Sequence, residues 1–207
     1  GNETNRTIAH SLSAVPHWIM CKERDNGNNW FVYHNGAASD AETDYFKWDT
    51  NEATNDHETV WNDTAPTSSV FSVGTATGTN KSSGAMIAYL FAPKQGFSKM
   101  GFYEGNGNAS GTFVFTGFRP AFVACKSVDS TSDWLTFDNK RLGYNVDNNP
   151  LLTNASAAAA TTDMIDILSN GFKCRISTDP NVAETYIYMA FAEAPFVNSN
   201  GVPCNAR

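Results

Sequence analysis

Short apolar runs recur from end to end of the chain, each set off by Gly, Asn, Asp, Ser or Pro. They are rich in Val, Ile, Phe, Tyr and Trp, the residues that suit a pleated, half-buried surface. In the first half they predict strands over 6–9, 17–23, 30–34, 45–49, 69–73 and 85–91. In the second half they predict strands over 98–103, 112–115, 121–127, 134–138, 150–153, 171–176 and 185–192. DNGNN (25–29) and DSTSD (129–133) separate matching runs and read as hairpin loops. Helical signal is confined to 155–168, with its AAAA run, and to 51–58. Neither is an amphipathic helix long enough to organise a domain. The predicted fold class is all-β.

The pattern is also internally repeated. Residues 11–35 align with 115–139 without a gap at an offset of 104. Pro16 meets Pro120, Cys21 meets Cys125, Lys22 meets Lys126, Asp25 meets Asp129, and Trp30 meets Trp134. Gly1-Asn2 meets Gly105-Asn106 at the same offset, and IAYLFA (87–92) resembles IYMAFA (187–192). Thr50-Asn51 resembles Thr153-Asn154, and Phe71 resembles Phe172. A unit of about 100 residues suits a small β-sandwich and is too long for a solenoid repeat. The expected architecture is two tandem antiparallel β-sandwich-like units, 1–97 and 98–207, the second ending in a C-terminal tail. One merged sandwich with pseudo-two-fold symmetry is the alternative. The second unit opens with SKMGFY (98–103) ahead of Gly105, and the first has no such run ahead of Gly1. The repeat therefore predicts a first strand supplied upstream.

With 207 residues, a compact chain buries roughly 70% of its unfolded surface and needs no metal or disulfide staples. Charged residues make up 17% and the net charge is −7. That balance lacks the basic patch a phosphate backbone requires, so no nucleic-acid partner is expected. No apolar run reaches the length of a membrane span, and no membrane partner is expected. The four cysteines, Cys21, Cys125, Cys174 and Cys204, form no metal-ligand spacing. Cys21 and Cys125 lie in apolar runs and read as small core hydrophobes. A bridge between them would need the two copies to meet across a close two-fold axis.

Catalytic patterns are scarce. GxSxG, HExxH and a Walker loop are absent, and GNGNASG (105–111) lies between strands, where it reads as a turn. Nothing in the spacing of His10, His17, His34 and His57 pairs them with a nucleophile. No catalytic residue, cofactor or metal site is assigned. The segment 40–63 is different. It carries eight carboxylates, at Asp40, Glu42, Asp44, Asp49, Glu52, Asp56, Glu58 and Asp63, with Tyr45, Phe46, Trp48 and Trp61 interleaved. Carboxylates flanked by aromatics are what a glycan site needs. Oxygen-rich loops also hold Ca²⁺, but no EF-hand spacing occurs. The matching part of the second copy keeps only Asp147 and Asp163. The best candidates for a ligand- or receptor-binding loop are thus Asp44, Tyr45, Trp48, Asp49, Glu52 and Trp61. A solvated acidic loop with core-facing aromatics is the competing reading. The repeated residues read as structural anchors instead. Trp30 and Trp134 pack, while Lys22 and Lys126 reach Asp25 and Asp129 across the hairpin mouths. Six Asn-x-Ser/Thr triplets, including one at Asn80, fit the composition without implying modification.

AVPHWIMCKERDNGNNWFVYHN, WNDTAPTSSVFSVG, GNGNASGTFVFTGFRPAFVACKSVDSTSDWLTFD and the closing YIYMAFAEAPFVNSNGVPCNAR together resemble a domain of unknown function in tail- and fibre-type structural proteins of tailed, often marine, bacteriophages. The likeness runs over nearly the whole chain and takes Arg207 as the natural C-terminus. It implies a virion protein, assembled in the bacterial cytoplasm and placed at the C-terminal part of a tail fibre, spike or appendage. Its implied partners are other virion proteins, copies of itself as a trimer, and a host surface glycan or protein. Two alternatives are a capsid decoration protein and a glycan depolymerase using carboxylates of 40–63.

Overall fold

The computed structural model describes residues 1–37, 40–141, 145, 149–159, 161–198 and 202. Asp147, Cys204 and Arg207 lie outside the described residues. The chain divides between Ala92 and Pro93 into two compact units, five residues ahead of the boundary that the repeat predicts.

In the first unit the strands are β1 (Arg6–Ala9), β2 (Trp18–Glu23), β3 (Phe31–His34), β4 (Asp44–Lys47), β5 (Asn55–Asp56), β6 (Val70–Val73) and β7 (Met86–Phe91), with one helical turn, α1 (Thr77–Asn80). β5-β4-β3-β2-β7 form one antiparallel sheet, and β1-β6 form another. In the second unit they are β8 (Ser98–Glu104), β9 (Phe113–Phe115), β10 (Pro120–Ser127), β11 (Leu135–Asp138), β12 (Leu151–Leu152), β13 (Ile165–Leu168), β14 (Gly171–Cys174) and β15 (Thr185–Ala192). Their sheets are β12-β11-β10-β15-β8 and β13-β14-β9, again antiparallel.

Alternation along each strand decides which residues meet between the sheets. In the first unit Ile19, Cys21 and Tyr33 from the large sheet pack with Phe71 and Val73 of β6. In the second, Val123, Cys125, Leu135, Phe137, Tyr186 and Tyr188 pack with Val114, Phe172, Cys174, Ile165 and Ile167. Each such side chain contributes roughly 1.5–3 kcal/mol when removed from water. Both units are therefore antiparallel sandwiches. β4-β3-β2-β7 of one runs in the same order as β12-β11-β10-β15 of the other.

Two expectations are corrected. The described residues of 155–168 form no helix: Ile165–Leu168 are β13, paired with β14. Burying Ile165 and Ile167 in the core outweighs the small helix preference of the preceding alanines. Within 51–58, Asn55–Asp56 form β5.

The loops ahead of β1 and β9 are each fastened by one buried carboxamide. Asn80 accepts from Asn2 N (3.0 Å) and donates to Thr4 O (2.8 Å) and Gly74 O (2.7 Å). Asn181 accepts from Asn106 N (3.2 Å) and donates to Asn108 O (2.8 Å) and Ile176 O (2.7 Å). The backbone adds Glu3 N to Asn80 O (2.8 Å) and Gly107 N to Asn181 O (2.7 Å). Glu3 and Gly107 both take the left-handed conformation, with φ of 53° and 65°, which glycine adopts without the Cβ clash that glutamate meets. Asn80 is 1% exposed, so its Asn-x-Ser triplet sits where no glycan fits. Asn181→Ala would remove its bonds to the part-buried backbone groups of Asn106, Asn108 and Ile176, at about 0.5–1.5 kcal/mol each. Urea denaturation should show a loss of at least about 2 kcal/mol, and Asn181→Asp, lacking the two N–H donors, should not recover it.

Candidate functional site

The residues of 40–63 do not converge on one site. Asp44 begins β4, directly opposite Asp56 of β5. Burial, then the nearby carboxylates of Asp56 and Asp40, push its pKa up to about 6. Tyr45 stacks on Phe31 with centroids 5.2 Å apart. Trp48 packs edge-on against Trp18 at 5.8 Å. Asp49 Oδ1 accepts from Trp30 N (3.0 Å) and so ties the end of β4 to the start of β3. Glu52 pairs with Lys47 at 2.9 Å, and that hydrogen bond draws its carboxyl below the ordinary range.

Trp61 is the clearest correction to the predicted binding loop. It is 2% exposed, packs edge-on against Tyr33 at 5.9 Å, and donates from Nε1 to Asp44 O (3.0 Å). A ring buried on all sides cannot stack on a sugar. What remains is a surface depression of about 330 Å³ lined by Asp40, Thr43, Asp56, His57 and Glu58, without an aromatic wall. Among the described residues no group of three or more His, Cys, Asp or Glu side chains is placed to hold a metal ion. Cys21, Cys125 and Cys174 are buried free thiols, and burial lifts the pKa of Cys21 and of Cys174 to about 12.

The repeated anchors act differently from the predicted Lys–Asp contact. Lys22 Nζ donates to Asn26 O (3.0 Å) and Asn28 O (2.6 Å) of its own hairpin loop. Lys126 Nζ donates to Ser127 O (3.2 Å), Ser130 O (3.2 Å) and Ser132 Oγ (3.3 Å). A loop that turns its carbonyls inward offers the ammonium several acceptors at once, and the carboxylates are left for another task. Asp25 Oδ2 accepts from Ala85 N (2.7 Å) and Asp129 Oδ2 from Thr185 N (2.7 Å), at the starts of β7 and β15. Lys126 is 1% exposed. Burial pulls its pKa down to about 8 against the attraction of Asp179, Asp133 and Glu184. Trp134 is wholly buried, as a packing anchor should be. Trp30 is only half-buried and stacks on the exposed ring of Tyr89 at 6.1 Å.

The sequence reading missed a surface on the second unit. Phe113 and Phe115 occupy alternate positions of edge strand β9 and are 44% and 56% exposed. Cross-strand register sets Lys173 and then Asp166 beside Phe113, and Gly171 and then Leu168 beside Phe115. Gly171 is required there, because a Cβ would stand 2.0 Å from Val114 O. Lys99 Nζ lies 5.3 Å from the Phe115 ring centre and donates to Phe115 O (2.6 Å). Arg175 pairs with Asp166 at 3.3 Å. The result is a face with two exposed rings bordered by Lys99, Lys173, Arg175 and Asp166. Alternation in FVF (113–115) was legible, but which face of β9 meets the core was not.

A family model described as a domain of unknown function, DUF7483, matches residues 1–195. The chain belongs to that family. Searches of curated proteins and of solved structures found no match. Among the described residues no helix is long and apolar enough to cross a membrane.

Asp44 gives the acidic segment a pH signature. Its folded pKa of about 6 exceeds the unfolded value of about 3.9. The native state therefore holds the proton more tightly, and stability falls as pH rises from about 4 to 6. Asp44→Asn should be more stable than the wild type at pH 7 and equal to it at pH 4, as read from denaturation midpoints at both pH values.

Proposed function

We propose that this member of the DUF7483 family is a non-enzymatic structural protein of a tailed-bacteriophage virion, acting in the C-terminal part of a tail fibre, spike or appendage at the host surface. Two sources support this reading: the resemblance carried by the motifs above, and the outer face of the β13-β14-β9 sheet. The face is the observation on which the attachment role rests. Exposed rings offer apolar surface to the C–H faces of sugars, and the bordering cations and Asp166 offer bonds to hydroxyls and carboxylates. Its ligand class is a host surface polysaccharide, with acidic sugars favoured by Lys99, Lys173 and Arg175. The shared strand order of the units is read as an internal duplication, and assembly into a trimer with other virion proteins follows the resemblance.

A labelled full-length chain should bind polysaccharide from the host surface, and immunolabelling should place it on the tail. Phe113→Ala with Phe115→Ala should weaken binding at least about tenfold. The same double variant should change folding stability little, because both rings are exposed. Wild-type binding by the variant, or label confined to the head, would sink the attachment role and leave a decoration protein.

The carboxylates that line the depression, with Asp44 opposite Asp56, leave one second reading, a glycan depolymerase using carboxylates of 40–63. Polysaccharide cleavage by the wild type that is lost in both Asp44→Asn and Asp56→Asn would support it. No cleavage, or cleavage equal in all three proteins, removes it.

A further inference from the structure

The two sandwiches differ most at one edge. In the second unit β8 lies outside β15 and closes the large sheet, whereas in the first unit β7 is itself the edge strand. β8 also supplies a core residue. Tyr103 is 6% exposed. It stacks on Tyr186 at 5.3 Å, meets Phe172 edge-on at 5.8 Å and lies 6.2 Å from Tyr188. Its hydroxyl donates to Pro180 O (2.8 Å), and it adjoins Cys125 and Cys174.

Strand register identifies the counterparts of these neighbours in the first unit. Cys21 faces Ala88 and Glu23 faces Met86, as Cys125 faces Tyr188 and Ser127 faces Tyr186. Phe71 pairs with Ile8 and Val73 with Arg6 across the small sheet, the places held by Phe172 and Cys174. Thr79 precedes the clamp residue Asn80, as Pro180 precedes Asn181. All six counterparts, Cys21, Phe71, Val73, Thr79, Met86 and Ala88, line a cavity of about 240 Å³ in the first unit. An apolar cavity of about 150 Å³ is already large enough for benzene. The first unit has a hole where the second has the Tyr103 ring.

The chain also sets direction and register for an occupant. Gly105 N donates to Glu184 O (2.9 Å), and β8 then runs back along β15 from Thr185↔Glu104 to Phe191↔Ser98. The Gly1 amine donates to Gly84 O (2.8 Å), the equivalent rung at the start of β7. We propose that the β7 edge and this cavity form an acceptor for an extended strand that is covalently continuous with Gly1. The strand runs antiparallel to β7 and places a large aromatic side chain, two residues ahead of Gly1, in the cavity. Main-chain bonds to an exposed sheet edge supply the pairing, and the alternate side chain supplies the selectivity. An open edge beside an unfilled core is otherwise a site of unwanted pairing. This inference stands apart from the attachment role, which concerns the other unit.

The test fuses SKMGFYE, the sequence of 98–104, directly ahead of Gly1 of the full chain, and a second fusion carries serine in place of the tyrosine. Hydrogen exchange is read at the amides of β7. The tyrosine fusion should slow exchange there at least about tenfold, and the serine fusion should lose most of that gain. Unchanged exchange in both fusions, or equal protection by both, overturns the proposal. Equal protection by free SKMGFYE peptide added to the unfused chain overturns the assignment to a covalently linked strand.

Discussion

The loops that lead into β1 and β9 lie largely at the surface, and each is tied to its unit by a side chain that is itself buried. In each unit one carboxamide does this, and its position determines much of what surrounds it. Asn80 and Asn181 are 1% and 0% exposed, yet both use their oxygen and their nitrogen on main-chain partners. A single side chain thereby joins the loop ahead of β1 or β9 to the segment that follows β6 or β14. The left-handed residue at Glu3 or Gly107 is the bend that lets the loop reach it. The rung from Gly1 or Gly105 to the neighbouring strand depends on the same placement. The edge of the large sheet is therefore positioned by an interaction that lies outside the sheet.

The hairpin loops show how one requirement can be met from different places. Glu23 is fully buried and its carboxylate accepts from the side-chain amides of Asn26 (2.5 Å) and Asn28. In the second unit Ser127 holds that strand position, and Glu184, on the neighbouring segment, accepts from Ser127 Oγ (2.8 Å) and Ser130 Oγ (2.7 Å). The partner position in the first unit is Gly84, where a Cβ would stand 3.2 Å from Glu23 Oε1. A carboxylate is thus present beside the loop in both units, but only one of the two adjacent positions can carry it. Lys22 and Lys126 gather the loop carbonyls from the other side. These loops are held by charge-assisted bonds to short polar side chains, so their sequences can diverge while the turn persists.

Strand positions were legible because stretches such as WIMCKE and YIYMAFA are short runs of β-favouring residues whose side chains are largely buried. β13 was not, because Ile165 and Ile167 follow an alanine run and their partner strand comes later in the chain. The acidic segment was legible as unusual, but its geometry was not. Trp61 and Tyr45 carry the same side-chain chemistry whether they stack on a sugar or on Tyr33 and Phe31. The lysines were legible as structural and misassigned in their acceptors. Nζ reaches carbonyl oxygens, which every residue has and which no sequence pattern marks. Asn80 and Asn181 were missed for a related reason. They lie at an offset of 101 rather than 104, in a chain where asparagine is common, and only burial separates them from the rest.

The difference between the units at the edge strand also bears on how each core closes. In the second unit the Tyr103 ring is one of several aromatics that meet near Tyr186, Tyr188 and Phe172. Gly101 admits the Tyr188 hydroxyl, which would stand 3.0 Å from a Cβ there. Edge strand and core are thus fitted to each other through a glycine and a tyrosine two residues apart. The first unit has smaller or more flexible groups, Ala88 and Met86, at the positions of Tyr188 and Tyr186. Smaller groups leave room, and protein interiors do not tolerate empty room cheaply. A closing strand for the first unit would thus meet Ala88 and Met86 where β8 meets Tyr188 and Tyr186, with less call for a glycine opposite Ala88. That difference follows from comparing β7 with β15 and bears on what the complementary strand must look like.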